Sequence, residues 1–202
     1  MRLKNHLLSR LKQIPFTGDE DDVHTVSERA QLQLVPSDRM YVHKYCRVNY
    51  TTYDGRRDQD TINTTTHAGV MLMAHDDEGE RTHPFWYAQV IGIFHVKVRY
   101  GNSETTLMPL LWVRWLGIDP SYPSGWRHRR LPRIGYVPED GSSATFGFLD
   151  PAVVIRGSHL MPAHHHGRTS ELLGPSIARP EEDDDEDWQY FYVGMSVPLS
   201  LN

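Results

Sequence analysis

Six aromatic residues, Trp86, Tyr87, Tyr100, Trp112, Trp115 and Trp126, fall in or beside two extended-looking stretches, Pro84 to Tyr100 and Leu110 to Leu116. Rings gathered around a groove attract a methylated ammonium through their negative faces, each contact contributing about 0.5–2 kcal/mol. Alternate residues of a strand share a face, so Trp86 and Tyr87 point oppositely, as do Trp112 and Trp115 unless a bulge intervenes. Part of the set therefore belongs to a core. Trp86, Tyr87, Trp112, Trp115 and Trp126 are the candidates for a ligand groove or aromatic cage.

A second constellation is basic. Trp126-Arg127-His128-Arg129-Arg130-Leu131-Pro132-Arg133 follows the turn-rich Ser121-Tyr122-Pro123-Ser124-Gly125. Arginines beside an aromatic residue suit phosphate contacts and base stacking, which makes Arg127, Arg129, Arg130 and Arg133 candidate nucleic-acid contacts. The same side chains suit pairing with the acidic run Glu181 to Asp187.

Catalytic arrangements are weaker. Asp54, Asp58 and Asp60 lie with Arg56 and Arg57 around an Asp-Gly turn, where a nuclease could hold magnesium between carboxylates. Arg–carboxylate pairs that hold a hairpin together explain the same spacing. His164-His165-His166 is consecutive, a spacing that does not wrap imidazoles around one ion, and no His-x-x-x-His accompanies it. There is no Gly-x-Ser-x-Gly elbow and no phosphate-cradling Gly-x-x-x-x-Gly-Lys-Ser/Thr loop. Cys46 is the sole cysteine and reads as a small buried hydrophobe, in keeping with a reducing compartment. No metal and no cofactor is expected.

The elements that must position these residues are mostly strands. The chain has 202 residues, 39% hydrophobic and 23% charged, enough for one domain with additions. No apolar run approaches the roughly 18 residues of a membrane span. The basic start lacks an apolar stretch and a cleavage site, so nuclear or cytoplasmic placement is expected and secretion is not. The net charge of -5 conceals a division. Asp19 to Asp22 and Glu181 to Asp187 are wholly acidic, and setting them aside leaves a positive remainder.

Leucines at 3, 7, 8 and 11 with Ile14 predict a helix over Arg2 to Ile14, ended by Pro15. An acidic linker follows to about Arg29. Short extended runs begin at Gln31, and Asp54-Gly55 marks a hairpin. Pro84 to Tyr100 is too long for one flat strand, and Gly92 is its predicted bend or bulge. With Leu110 to Leu116 it forms a central antiparallel hairpin. Asp150-Pro151 predicts a capped helical turn, and Trp188 to Val193 a last strand.

Three ordered stretches carry a resemblance: Asn49 to Asn63, His83 to His95 and Phe148 to Arg156. They resemble the uncharacterised proteins and transposase tails of mushroom-forming fungi, the Plavaka/KDZ-like transposon-associated group. The resemblance implies an accessory region and, as a partner, a transposase. Relatives continue past Met195 into an Asp/Arg/Met-rich, glycine-ended segment, whereas this chain ends Ser196 to Asn202, as a truncated or alternatively spliced copy would. A looser pattern resembles bromo-adjacent-homology (BAH) domains: Val70 to Met73, Trp86 to Phe94, Trp112-Val113-Arg114-Trp115 and Pro151 to Leu160, in that order. A Tudor-like or SH3-like barrel satisfies the same hairpin.

The expected architecture is mainly β, an antiparallel BAH-like or SH3/Tudor-like barrel with an N-terminal helix and short helical turns. Its expected parts are a helix and acidic linker over 1–28, a β-rich domain over 29–195 with an acidic loop at 181–187, and a tail over 196–202. The expected function is a non-catalytic interaction module of a transposon-derived protein, binding chromatin protein such as a histone tail, or DNA. The rivals are a nuclease or transposase fragment using Asp54, Asp58 and Asp60, and a structural appendage that docks on a transposase.

Overall fold

The computed structural model describes residues 2–16, 24–36, 38–52, 54–74, 83–139, 145–179 and 184–194. The linker at 17–23, part of the acidic loop at 180–183 and the tail from 195 onward lie outside the described residues.

Helix α1 (Arg2–Leu11) buries Leu7 and Leu8 completely. It stops one turn short of the apolar pattern, because Gln13 enters the left-handed region (φ 57°) and Ile14 N–H bonds back to Ser9 at 2.9 Å. A second helix, α2 (Val26–Gln31), stands where a linker was expected. Its start is a capping box: the Thr25 hydroxyl accepts from Glu28 N–H, while Glu28 accepts from Thr25 N–H. Lys12 closes on the Glu28 carboxylate, and that bond, with those from Thr25, holds its carboxyl down to about 2.

The strands are β1 (Leu32–Leu34), β2 (Met40–Val42), β3 (Tyr45–Thr51), β4 (Arg57–Asn63), β5 (Gly69–Met73), β6 (Phe85–Tyr100) and β7 (Thr106–Ile118). They continue with β8 (Arg133–Tyr136), β9 (Phe146–Leu149), β10 (Val154–Gly157), β11 (His159–Pro162), β12 (Arg168–Thr169), β13 (Asp187–Trp188) and β14 (Phe191–Gly194). All described pairings are antiparallel.

The β6–β7 hairpin is the spine, paired from Tyr87–Leu116 to Val98–Thr106. Its register shifts between Val90 and Gly92, the expected bulge. A side chain at Gly92 would meet the Phe94 ring at 2.3 Å, so that ring would have to move to admit one. Along β6 the neighbours are β5, β2 and β1, and along β7 they are β9 and β8. The main path runs β10-β5-β6-β7-β8-β14-β11.

The expected barrel is not closed by hydrogen bonds. The two ends of the path, β10 and β11, are consecutive in the chain and joined through Ser158, but they do not pair with each other. Ser158 N–H bonds to Gly69 O at 2.9 Å, and the ladder ends there. The curled sheet encloses apolar clusters around Val90 and Val113, around Leu110 and Val96, and around Tyr87 and Ile134. Each such buried side chain contributes about 1.5–3 kcal/mol. Asp150 caps the turn Pro151–Val153 by accepting from Ala152 N–H at 2.9 Å, as its sequence predicts. Among the described residues no helix is long and apolar enough to cross a membrane.

Candidate nucleic-acid interface

Among the candidates whose side chains are described, only Trp86 and Trp115 meet, and they meet in a packed cluster rather than an open groove. Trp86 packs edge-on against Trp115 (6.2 Å, 78°), and Phe16 stacks on Trp115 (6.1 Å, 20°). Trp115 is only 9% exposed. Its indole lies so close to β9 that a side chain at Gly147 would meet Trp115 Nε1 at 2.7 Å. Tyr87 points the other way into the core, fully buried, and burial pushes its phenol far up. Trp112 is half-buried beside Phe146 (5.9 Å). The side chain of Trp126 lies outside the described residues. Burial of Tyr87 and Trp115 removes them from any exposed cage, because a ring sealed in a core cannot present its face to a ligand.

The arginine segment separates into two roles. Arg133 is a structural cation: its Nε donates to Asp119 Oδ2 at 2.7 Å. Its guanidinium also lies 4.3 Å from the Tyr122 ring centre and 4.6 Å from that of Tyr190. A side chain engaged on three sides is a poor phosphate contact. Arg127, Arg129 and Arg130 are exposed and make no ion pair with any described residue. They sit on a closed loop rather than a loose one. Gly125 N–H bonds to Arg130 O at 2.8 Å, His128 N–H returns to Gly125 O at 3.1 Å, and Arg129 adopts φ 48° to complete the turn. Arg130 rests 5.6 Å from the Tyr122 ring, which Arg133 and Asp119 anchor from below.

The acidic run does not pair with this loop through its described residues. Asp187 is instead buried between Arg114 and Arg179, bidentate to the first (2.7 and 2.8 Å) and within 2.6 Å of the second. Asp185 approaches Arg179 at 3.7 Å. Arg179 further donates to Leu173 O at 2.7 Å, and Arg114 lies 3.8 Å over the Tyr136 ring. The run is therefore tied to the body at its C-terminal end.

The carboxylates of the hairpin are each engaged. Asp54 pairs with Arg56 at 2.9 Å within the turn, and Asp58 accepts from the Tyr50 hydroxyl at 3.0 Å. Asp60 accepts from Gly157 N–H at 3.0 Å and faces Arg156 Nε at 3.3 Å, while Arg156 lies 3.8 Å over the Tyr50 ring. These contacts clamp β3–β4 onto β10. Among the described residues no three His, Cys, Asp or Glu side chains gather as a metal site. His43 Nε2 and His95 Nδ1 are hydrogen-bonded at 2.6 Å, with the Tyr41 ring stacked on His95.

Clamping sets which face the ribbon shows. Cys46, Val48, Tyr50, Asp58, Asp60 and Ile62 share one side, where Val48 and Ile62 are buried against the body and Asp58, nearer the turn, is exposed. Arg47, Asn49, Thr51, Arg57, Gln59 and Thr61 are exposed on the outer side, which carries two cations and no carboxylate. Period-two alternation in both strands signals this face in the sequence, though the pairing register is needed to assemble it. A cleft of about 710 Å³ lies between the ribbon root and the β10–β11 bend, lined by Asp60, His67, Gln89, Tyr136, Arg156 and His159.

No protein-family model matches the chain, and no curated protein or solved structure matches it significantly.

Proposed function

We propose that the chain is a non-catalytic interaction module that binds nucleic acid through the closed loop at Arg127, Arg129 and Arg130. The observation that carries this reading is a contrast among arginines. Arg114, Arg133 and Arg179 are each held by a carboxylate, whereas the three loop cations project into solvent with no ion pair to a described residue. Exposed, preorganised guanidinium groups favour phosphate, which neutralises them with release of bound counterions. The transposon-associated resemblance supports DNA as the nucleic acid and a nuclear setting. The BAH-like reading of the curled sheet rests on its order of strands, and fold likeness alone assigns no ligand. A histone-tail reader has less support, since two of its five candidate rings are buried. The nuclease rival has less support too, since Asp54, Asp58 and Asp60 already serve turn and clamp contacts.

The test is binding of the purified chain to labelled double- and single-stranded DNA at low salt, beside the triple variant R127A/R129A/R130A. Binding that falls at least tenfold in the triple variant, with an unchanged melting temperature, supports the reading. Equal binding by both proteins, or none by either, overturns it.

A further inference from the structure

We propose that the outer face of the β3–β4 ribbon reads the major groove of B-form DNA, with Asn49 and Gln59 at base edges and Arg47 and Arg57 flanking them. This rests on the nucleic-acid reading above and names the part of the chain that supplies sequence preference, which phosphate contacts from a loop do not carry.

The shape fits first. A two-stranded antiparallel ribbon is one of the elements that the major groove, about 12 Å wide, admits. This ribbon forms its own two-stranded sheet, and its inward side is fixed to the body by Val48, Ile62 and the Asp60 contacts. The reading face is thus held rigid without using any of its own side chains.

Chemistry fits second. Every outward residue from Arg47 to Thr51 and from Arg57 to Thr61 is a cation, an amide or a hydroxyl. The carboxylates of the same strand, Asp58 and Asp60, alternate to the reverse side, and Asp54 in the turn is neutralised by Arg56 at 2.9 Å. A surface meant only for solvent has no need to sort its charges by face, whereas one that meets a polyanion does. At its centre, Gln59 Nε2 donates to Asn49 Oδ1 at 2.7 Å. Whichever way the two amides are turned, their mutual bond uses one N–H and one oxygen. An N–H on one residue and an oxygen on the other remain unused by that bond. Adenine offers the complementary pair in the major groove, an N7 acceptor beside an N6 donor.

Symmetry fits third. Along its own chain direction β3 shows Arg47, Asn49 and Thr51, and β4 shows Arg57, Gln59 and Thr61. The register pairs Arg47 with Thr61, Asn49 with Gln59 and Thr51 with Arg57. A half-turn about the Asn49–Gln59 pair therefore exchanges the two triplets. Duplex DNA has local twofold axes perpendicular to its own axis, so this face suits a near-palindromic site. The two arginine rows lie about 14 Å apart along the ribbon, at about 3.4 Å per residue, close to four base-pair steps.

The experiment is selection from a random double-stranded DNA library with the full chain, the double variant N49A/Q59A and the triple variant R127A/R129A/R130A. Thermal melting of each variant verifies folding, which these exposed positions leave intact. The wild-type chain is expected to enrich a short near-palindrome containing adenine. The N49A/Q59A variant is expected to lose that preference by about tenfold or more, the order expected for a lost amide–adenine contact, while binding random DNA within about twofold of wild type. The arginine triple is expected to bind all sequences more weakly and keep the preference. Enrichment of the same site by N49A/Q59A, no enrichment by the wild type, or equal competition by duplex RNA, whose major groove is too narrow to enter, overturns the proposal while leaving loop-mediated binding intact. Absence of DNA binding by the wild type overturns the loop reading itself, and this one with it.

Discussion

Asp187 and Arg114, 73 residues apart, form a bidentate pair in which both side chains are nearly sealed from solvent, at 6% and 2% exposure. The pair fastens the end of the acidic run to the central strand β7, and Arg179 completes the set from the preceding loop. Taking two charges out of water is costly, and their attraction offsets this only with such geometry. Removing one partner leaves the others uncompensated. Asp187→Ala is expected to destabilise the fold by about 3–5 kcal/mol, measured by urea unfolding, against under about 1 kcal/mol for Asp185→Ala on the exposed neighbour.

Acid should act through the same carboxylate. Burial raises the Asp187 carboxyl, but hydrogen bonds from Arg114 and Arg179 outweigh burial and leave it below the usual range. A group depressed on folding contributes stability that is complete above its unfolded value, about 3.9, and is lost as pH falls through its folded value. Urea midpoints are expected to respond little to Asp187 between pH 7 and 5, then to fall steeply below pH 4. Asp187→Asn should flatten the acid limb, and an unchanged limb would assign acid sensitivity elsewhere.

Packing around Trp115 makes a separate expectation. The indole lies against the bare backbone of Gly147, with no room for a methyl group. Gly147→Ala is expected to cost about 1–3 kcal/mol, as overpacking does, and to shift the tryptophan emission as Trp115 is displaced.

Asp60 should hold the ribbon in place. It accepts from Gly157 N–H and pairs with Arg156, both on β10. Asp60→Ala is expected to raise amide exchange across β3 and β4 several-fold, read by mass spectrometry, while the β6–β7 spine stays protected. Asp60→Asn, which keeps an acceptor for Gly157, should show a smaller effect.

Much of this fold is legible in the sequence where a local rule operates. The long β6 with its bulge at Gly92, the Asp54-Gly55 turn and the Asp150-Pro151 cap follow from neighbouring residues alone. Helix α2 is harder because its only buried residue is Arg29, so no apolar period marks it, although Thr25 and Glu28 spell a capping box. Asp187 looks like one more solvated acid in a run of seven, and only tertiary contact with Arg114 and Arg179 distinguishes it. The same holds for Arg133, whose sequence neighbours are exposed cations but whose partner, Asp119, comes from the end of β7. The aromatic set shows the converse. Alternation predicts that some rings are buried, but which ones depends on partners such as Phe16 and Gly147, far away in the chain.

The most direct measurement is the slope of log affinity for duplex DNA against log salt concentration, for wild type and R127A/R129A/R130A. Each phosphate contact contributes about 0.9 to that slope, so loss of three contacts should make it shallower by about 2.7. That result would place all three arginines on the phosphate backbone. Identical slopes, with or without a difference in affinity, would contradict their role as the contact.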